Sequence, residues 1–156
     1  MDNRYYDSCL FGNATNPSHG DYAGCVRATT VEDIVWNISC CPDIISAEFP
    51  SVSEFVDQFL VYCSLNGIVA MQISLDESKR AAKQNRSHKK PLLQLGFDGH
   101  DWNHLMAAVF ADCNEIRTTD EDFFDPANKA ARGSAKKSTR VSDYISDKFG
   151  IEVLRP

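Results

Sequence analysis

The sequence contains no long apolar run. A membrane-spanning helix needs roughly 20 consecutive apolar residues, and polar or charged side chains interrupt every hydrophobic stretch of these 156 residues before that length. The first nine residues also lack the apolar segment of a secretory signal. These absences favour a cytoplasmic protein that is not inserted in a membrane.

The sequence also lacks a pair of cysteines at the C-x-x-C spacing of structural zinc sites. A disulfide framework would fit a secreted protein, and nothing in the sequence indicates secretion. We therefore expect reduced thiols, most of them in the core. The six cysteines are Cys9, Cys25, Cys40, Cys41, Cys63 and Cys113.

The overall composition is that of an ordinary globular protein. Hydrophobic residues make up 43% of the chain and charged residues 24%, which excludes wholesale disorder. A chain of 156 residues is long enough for one domain with a hydrophobic core and short for two. Because the sequence has no internal repeat and no evident domain boundary, we expect a single domain over residues 1–156.

The net charge of −6 hides an uneven distribution. Residues 78–90 contain six of the 16 lysines and arginines, residues 127–140 contain five more, and neither stretch contains an acidic residue. An acidic body with two basic segments fits a protein that binds metal ions at one place and a polyanion at another. Two solvated helix faces would have the same composition, so charge alone leaves both interpretations open.

The hydrophobic pattern predicts strands that alternate with helices along the whole chain. The predicted strands are a first one that ends at Asp7, then residues 44–47, 68–73, 115–119 and 151–154. The predicted helices are residues 31–39, a helix from Pro50 to Asn66, and residues 74–85, 101–113 and 142–149. Residues 13–24 are predicted to form a loop, Pro91 to break the chain, and residues 127–140 to be a mobile basic segment. Such alternation predicts a three-layer α/β/α sandwich around a mostly parallel sheet of about five strands.

Acidic residues fall where the predicted strands end or helices begin. They are Asp7, Glu54, Asp101, Asp120 and Asp122. Parallel strands direct their carboxyl ends to one edge of the sheet, where ligands collect. Carboxylates gathered there would repel one another unless a divalent cation bound them, and ligation by oxygen alone suits Mg²⁺ or Mn²⁺ rather than zinc. Taken singly, each acid has a structural alternative, since an Asp can cap a helix and Glu54 can stabilise a helix N-terminus.

Four ordered motifs, with a terminal strand, resemble those of PIN domains. Residues 5–11, YYDSCLF, resemble the opening strand, which ends in Asp followed by Ser or Thr. Residues 50–56, PSVSEFV, resemble the second motif, in which a Glu enters a helix. Residues 101–108, DWNHLMAA, and 116–123, IRTTDEDF, resemble the third and fourth motifs, and residues 151–156 resemble the terminal strand.

The resemblance implies a metal-dependent ribonuclease, commonly the toxin of a VapC-type toxin–antitoxin pair. The family's acidic quartet would fall on Asp7, Glu54, Asp101 and Asp120, with Asp122 as an accessory ligand and Ser8, Thr118 and Thr119 in support. One or two Mg²⁺ or Mn²⁺ ions would activate water for in-line attack on an RNA phosphodiester, leaving a 5′-phosphate and a 3′-hydroxyl. The resemblance also implies a cognate antitoxin and a homodimer, with residues 52–62 as one candidate surface.

The sequence departs from the family pattern at one position and leaves rival residues at others. Cys9 stands where the family often has Asn. Glu48 competes with Glu54, which we prefer because Pro50 begins the helix just before it. Asp98 competes with Asp101, which we prefer because only Asp101 has the following His-Leu spacing. His104 itself is interpreted mainly as a structural residue.

Within this interpretation the basic stretches become candidates for binding RNA, because phosphate contacts from Lys and Arg supply most non-specific affinity. The candidates are Lys79, Arg80, Lys83 and Arg86 beside the acidic site, and Lys136, Lys137 and Arg140 in a second segment.

Two other classes of protein share parts of this pattern. A non-catalytic RNA- or protein-binding PIN-like module would keep the fold and use the basic segments, but it would gain nothing from clustering five acids. A phosphatase of the haloacid-dehalogenase kind needs Asp-x-Asp after its first strand, and Cys9 occupies the second of those positions.

Overall fold

A sheet of five parallel strands forms the middle layer of the fold. The computed structural model describes residues 3–30, 37–125 and 139–156. The strands are β1 (Asn3–Tyr6), β2 (Asn37–Cys40), β3 (Ala70–Gln72), β4 (Glu115–Arg117) and β5 (Glu152–Leu154). They pair in the order β3-β2-β1-β4-β5, and every pairing is parallel. The predicted α/β class and mostly parallel five-stranded sheet are confirmed.

Helices cover both faces of this sheet. They are α1 (Ser8–Ala14), α2 (Tyr22–Thr30), α3 (Pro42–Glu48), α4 (Ser53–Leu65), α5 (Leu75–Gln84), α6 (Arg86–Gln94), α7 (Gly99–Phe110) and α8 (Val141–Phe149), with 3₁₀ turns at Pro50–Val52 and Glu121–Phe123. One hydrophobic cluster joins the sheet to α5, α6, α7 and α8, and a second joins it to α1, α2 and α4. This is the predicted three-layer sandwich.

Strand β1 connects the two hydrophobic clusters. Successive side chains of a strand point to opposite faces, and Tyr5 and Tyr6, both completely buried, lie in different clusters. Tyr6 packs against Phe11 and Phe59, with ring centroids 6.3 and 5.9 Å away. A central strand buried on both faces holds its carboxyl end, and therefore Asp7, in a fixed position.

The strand order changes direction next to β1. The chain proceeds from β1 to β2 and β3 on one side, and then returns to place β4 and β5 on the other. Ligand sites in open parallel sheets lie outside the carboxyl ends of the strands at such a switch point. Asp7 follows β1 and Thr118 follows β4, so both residues lie at this position.

The second strand was predicted in the wrong place. Residues 44–47 belong to α3, which has Pro42 in its first turn and Asp43 beside it, both favourable at a helix start. Ile44 and Ile45 are buried in different clusters, so the apolar run serves a helix that packs on both. The helix predicted over 31–39 is wrong for residues 37–39, which form β2, and residues 31–36 lie outside the described part of the chain.

Pro91 does not break the chain where a break was predicted. It lies inside α6, followed by the fully buried Leu92. An interior proline costs about 3 kcal/mol, and burial of Leu92, Leu95 and Phe97 offsets this because each such side chain contributes roughly 1.5–3 kcal/mol. The loop predicted over 13–24 is likewise shorter, since α1 continues to Ala14 and α2 starts at Tyr22.

The burial of the cysteines and the lengths of the helices agree with what the sequence predicts. All six cysteines are free thiols, and five of them are buried, with Cys9 half-buried. In the part of the chain that the structure describes, no helix is long and apolar enough to cross a bilayer. Residues 127–138, most of the segment predicted to be mobile, lie outside that part.

Gly150 ends α8 in the left-handed conformation, with φ at +67°. We predict that Gly150→Ala lowers the free energy of unfolding by about 1–2 kcal/mol, because an L side chain is strained there. Urea denaturation measures this change. Gly20→Ala is the control, since nothing lies within 4 Å of its added Cβ, and it should change stability by no more than about 0.5 kcal/mol. Equal destabilisation of the two variants would contradict the assignment.

Candidate metal centre

Asp7 is the most completely hydrogen-bonded acid at the carboxyl edge of the sheet. It caps α1, and its Oδ1 accepts from the Ser8 amide at 2.7 Å. Its Oδ2 accepts from the hydroxyl of Thr118 at 2.7 Å. Only 2% of Asp7 is exposed, so these donors replace the water that a buried carboxylate would otherwise lose.

Thr118 links the ends of β1 and β4. Its buried hydroxyl donates to Asp7 and accepts from the backbone amide of Asp120 at 3.0 Å. Thr119, the neighbouring threonine, accepts from the side-chain amide of Asn13 at 2.8 Å. The two threonines therefore fasten the segment after β4 to both ends of α1, at Asp7 and at Asn13.

Cys9 lies within this network. Its thiol donates to Asp7 Oδ2 at 3.3 Å and accepts from the Thr119 amide at 3.3 Å. Burial and then the charge of Asp7 raise the pKa of the Cys9 thiol well above its usual range. The thiol therefore acts as a neutral hydrogen-bonding group. PIN domains, which the sequence resembles, often have the side-chain amide of Asn at this position.

Asp120 and Asp122 follow β4 and enter the 3₁₀ turn. Asp120 Oδ1 accepts from the Asp122 amide at 2.9 Å. Burial raises the pKa of both carboxyls, and neighbouring carboxylates, Asp7 among them for Asp120 and Asp98 for Asp122, raise it further. Ionising these two acids is therefore opposed by the acids around them.

Asp101 carries the largest electrostatic penalty. It lies in the first turn of α7, is 5% exposed, and its Oδ2 has no hydrogen-bond partner. Burial, followed by the charges of Asp120, Asp98 and Asp7, raises its pKa to about 9. A buried, unpaired oxygen among like charges is costly, so this group is suited to a cation that the protein itself does not supply.

Three carboxyl groups converge at this point. Asp98, Asp101 and Asp122 each place one oxygen within 4.8 Å of the other two. Asp98 also caps α7, because its Oδ1 accepts from the amides of His100 and Asp101. Among the described residues, no lysine or arginine pairs with Asp7, Asp101, Asp120 or Asp122. An oxygen-only set of this kind fits Mg²⁺ or Mn²⁺.

The two candidate glutamates have different surroundings. Glu54 is exposed on α4 and accepts from the Gln58 side chain at 3.4 Å. Glu48, at the end of α3, accepts from the Ser8 hydroxyl at 2.5 Å, and its other oxygen lies 3.3 Å from His100 Nδ1. The structure thus connects Glu48 to Asp7 through the Ser8 hydroxyl, which contacts both carboxylates.

His104 makes more contacts than a packing role needs. It is 1% exposed, and its Nε2 lies 3.2 Å from Asp7 Oδ1 and 3.5 Å from Glu48 Oε2. Burial lowers the pKa of His104, but the charge of Asp7 and the hydrogen bond and charge of Glu48 outweigh it and raise the pKa overall. The sequence pointed to His104 only through its position three residues after Asp101, which places both side chains on nearly the same face of a helix.

The basic residues lie on the outside of α5 and α6. Lys79, Arg80, Lys83 and Arg86 are exposed. The guanidinium of Arg80 lies 5.6 Å from the ring centroid of Phe110, at the opposite end of α7 from Asp101. Arg140 is exposed and immediately precedes α8. Lys136 and Lys137 lie outside the described residues.

Comparison with known proteins shows a likeness in fold. No family model matches the sequence, and no curated protein matches it. A chain of the crystal structure of VapBC2 from Rickettsia felis, bound to a DNA fragment from the VapBC2 promoter, is similar with a TM-score of 0.50 and 12% identity. The similarity covers 98% of both chains. The α/β architecture is therefore shared with that structure along nearly its whole length.

We predict that Asp101→Asn stabilises the metal-free protein at pH 8 by at least about 1 kcal/mol, the free energy of roughly one pKa unit. The folded protein holds a proton on Asp101 up to about pH 9, whereas the unfolded chain releases it near 3.8. The stability of the wild type in EDTA should therefore fall as pH rises between these values.

Urea denaturation in EDTA at several pH values tests this expectation. The decrease in the free energy of unfolding with rising pH should be smaller in Asp101→Asn than in the wild type. The matched control is Asp57→Asn, on the exposed side of α4, which should follow the wild-type profile. Identical profiles for Asp101→Asn and the wild type would contradict the assignment.

Proposed function

We propose that this protein is a Mg²⁺- or Mn²⁺-dependent endoribonuclease. The observation that carries the proposal is the buried, unpartnered Oδ2 of Asp101 among other carboxylates. Without a bound cation this arrangement lowers the free energy of unfolding. With one, the same oxygen would serve as a metal ligand. The PIN-domain resemblance of the sequence supports this reaction class, and the structural likeness to a VapBC2 chain supports the fold that the resemblance implies.

The proposed ligands are the four aspartates predicted from the sequence, with Glu48 in place of Glu54. They are Asp7, Asp101, Asp120, Asp122 and Glu48. Asp98 offers a further oxygen beside Asp101 and Asp122. A bound divalent ion would lower the pKa of a water ligand and neutralise charge that develops on a phosphodiester.

The protein's own contribution is to position these oxygens before substrate binds. Thr118 orients Asp7 and the start of the segment that carries Asp120. The Asp98 carboxylate fixes the first turn of α7, where Asp101 lies. Asp7 and Asp101 are almost fully buried, whereas Asp98 is exposed, so the cluster is open to solvent on the side of Asp98. In-line attack there would leave a 5′-phosphate and a 3′-hydroxyl.

RNA is the proposed substrate, held by the basic residues outside the acidic cluster. Lys79, Arg80, Lys83 and Arg86 are exposed on adjoining helices, and residues 78–90 contain no acid. Arg140 would add a contact beside the 3₁₀ turn, because the chain that follows it bonds to Phe124. Lys136 and Lys137 are also proposed to bind RNA, on the basis of the sequence alone.

The toxin of a type II toxin–antitoxin pair is the proposed biological role. A cognate antitoxin would place a basic side chain against the uncompensated carboxylates. A homodimer is also proposed, on the outer face of α4, where Val61 is 58% and Leu65 81% exposed. The likeness to a chain of a VapBC2 complex supports a protein partner.

The nuclease proposal is tested by incubating a mixed RNA pool, and a matched DNA pool, with purified protein in Mn²⁺, Mg²⁺ or EDTA. We expect metal-dependent cleavage of RNA that Asp7→Asn abolishes. Equal cleavage by wild type and Asp7→Asn would indicate a contaminant. Salt-sensitive RNA binding with no cleavage in any metal would contradict the proposal and favour a non-catalytic binding module.

The choice between the two glutamates has its own matched pair of variants. Glu48→Gln should reduce the cleavage rate at least tenfold, because loss of a ligand or of a residue that supports one typically costs 10–100-fold. Glu54→Gln, the same change six residues later on an exposed helix face, should stay within about twofold of wild type. The reverse ranking would restore Glu54 to the site.

The basic residues are tested by RNA affinity in EDTA, where no cleavage interferes. Replacing Lys79, Arg80, Lys83 and Arg86 by Gln should weaken binding and flatten the dependence of log K on log salt. The slope should change by up to about 0.7 for each phosphate of a single strand that the variant no longer neutralises. Lys148→Gln, which removes an exposed lysine paired with Asp147, is the control. An unchanged salt slope in the fourfold variant would mean that these side chains do not touch RNA.

A further inference from the structure

His104 connects side chains from three separate elements at the acidic edge. The ring belongs to α7, Asp7 follows β1, and Glu48 ends α3. His104 Nε2 lies 3.2 Å from Asp7 Oδ1, 3.1 Å from Ser8 Oγ and 3.5 Å from Glu48 Oε2. The two carboxylates thus share one donor group, although 41 positions separate them in sequence.

The direction of these hydrogen bonds is fixed by chemistry. Ionised carboxylates only accept, so Nε2 carries a hydrogen whether the ring is neutral or charged. The Ser8 hydroxyl accepts from Nε2 and donates to Glu48 Oε2 at 2.5 Å. On the other side of the ring, Nδ1 is hydrogen-bonded to the hydroxyl of Tyr5 at 2.7 Å. Both ring nitrogens are therefore engaged, which fixes the orientation of the ring.

A second histidine shows what a purely structural role looks like in the same protein. His88 Nδ1 bonds to the hydroxyl of Tyr144 at 2.9 Å, and its ring packs on Phe149 with centroids 5.0 Å apart. These contacts join α6 to α8 without a carboxylate in contact among the described residues. His104 has the same kind of tyrosine contact, through Tyr5, and in addition its Nε2 lies within 3.5 Å of a carboxylate oxygen of both Asp7 and Glu48.

We propose that His104 is a positioning residue of the metal centre: its Nε2–H, together with the Ser8 hydroxyl, holds the carboxylates of Asp7 and Glu48 in a fixed relative position and thereby sets the affinity for a divalent metal. The inference rests on the proposed function. Without this donor the two carboxylates would repel each other, and Glu48 would be free to turn towards solvent with the rest of the half-exposed end of α3.

The test measures Mn²⁺ affinity without RNA, by calorimetry and by the electron paramagnetic resonance signal of free Mn²⁺. His104→Leu removes the donor and keeps an apolar side chain. His104→Gln keeps an N–H near the position of Nε2. His88→Leu is the matched control, because it breaks a histidine–tyrosine contact away from the acids. Unfolding in EDTA is followed for all variants.

We expect His104→Leu to weaken Mn²⁺ binding 10–100-fold, the usual effect of removing a group that orients a metal ligand. His104→Gln should stay within about threefold of wild type, and His88→Leu should leave the affinity unchanged even where it lowers stability. In a Glu48→Gln background, His104→Leu should have a much smaller effect, because the donor acts partly through that carboxylate.

Several outcomes would overturn the inference. A folded His104→Leu that binds Mn²⁺ within twofold of wild type would do so, as would equal weakening of binding in His104→Leu and His104→Gln. If His104→Leu does not unfold cooperatively, Tyr5→Phe and Ser8→Ala decide the question. Each removes a single hydroxyl of the network and should weaken Mn²⁺ binding at least threefold, and unchanged affinity in both would contradict the role.

Failure of the proposed function gives a different result. In that case the wild type binds no Mn²⁺, or binds it equally well after Asp101→Asn, and the metal centre itself is wrong. Mn²⁺ binding that depends on Asp101 but not on His104 leaves the metal centre in place and rejects only the positioning role.

Discussion

Repulsion among buried carboxylates is the constraint on which the rest of this structure depends. Asp7, Asp101 and Asp120 are drawn together by the ends of β1 and β4 and by the start of α7. The protein compensates them unequally, because Asp7 receives hydrogen bonds from Ser8 and Thr118 whereas Asp101 keeps an oxygen without a partner. Asp7 is therefore fully hydrogen-bonded within the folded chain, whereas Asp101 has room for the divalent cation that we propose.

The core and the site are built from the same short strand. Tyr5 packs in the cluster beneath α7, and its hydroxyl also bonds to His104. Tyr6 fills the opposite cluster among aromatic rings. Burial on both faces keeps β1 rigid, so the orientation of Asp7 and of the His104 ring follows from hydrophobic packing rather than from a flexible loop. A site assembled in this way loses little entropy when a metal binds.

The sequence predicted four of the five strands, and the acidic residues that follow two of them, because both depend on local patterns. Asp7 directly follows β1, and Asp120 lies three residues after the end of β4. Because strands alternate with helices, the sheet is parallel and the carboxyl ends of these strands lie at the same edge. The proposed choice of Glu48 over Glu54 could not be made in this way, since residues 44–47 fit a strand or a helix by pattern alone. The positioning role proposed for His104 depends on contacts with Tyr5 and Ser8, 99 and 96 positions away, which no local pattern encodes.

The separation of opposite charges along α7 bears on how a nucleic acid would lie on this surface. Asp101 is in the first turn of the helix and Phe110, which Arg80 covers, is at its end. Nine residues of helix at 1.5 Å each correspond to about 14 Å. A stacked strand that contacts both ends must therefore extend over about four nucleotides at 3.4 Å spacing. Shorter fragments would reach the carboxylates without the guanidinium, so the proposed RNA substrate gains affinity from residues outside the bond that is cut.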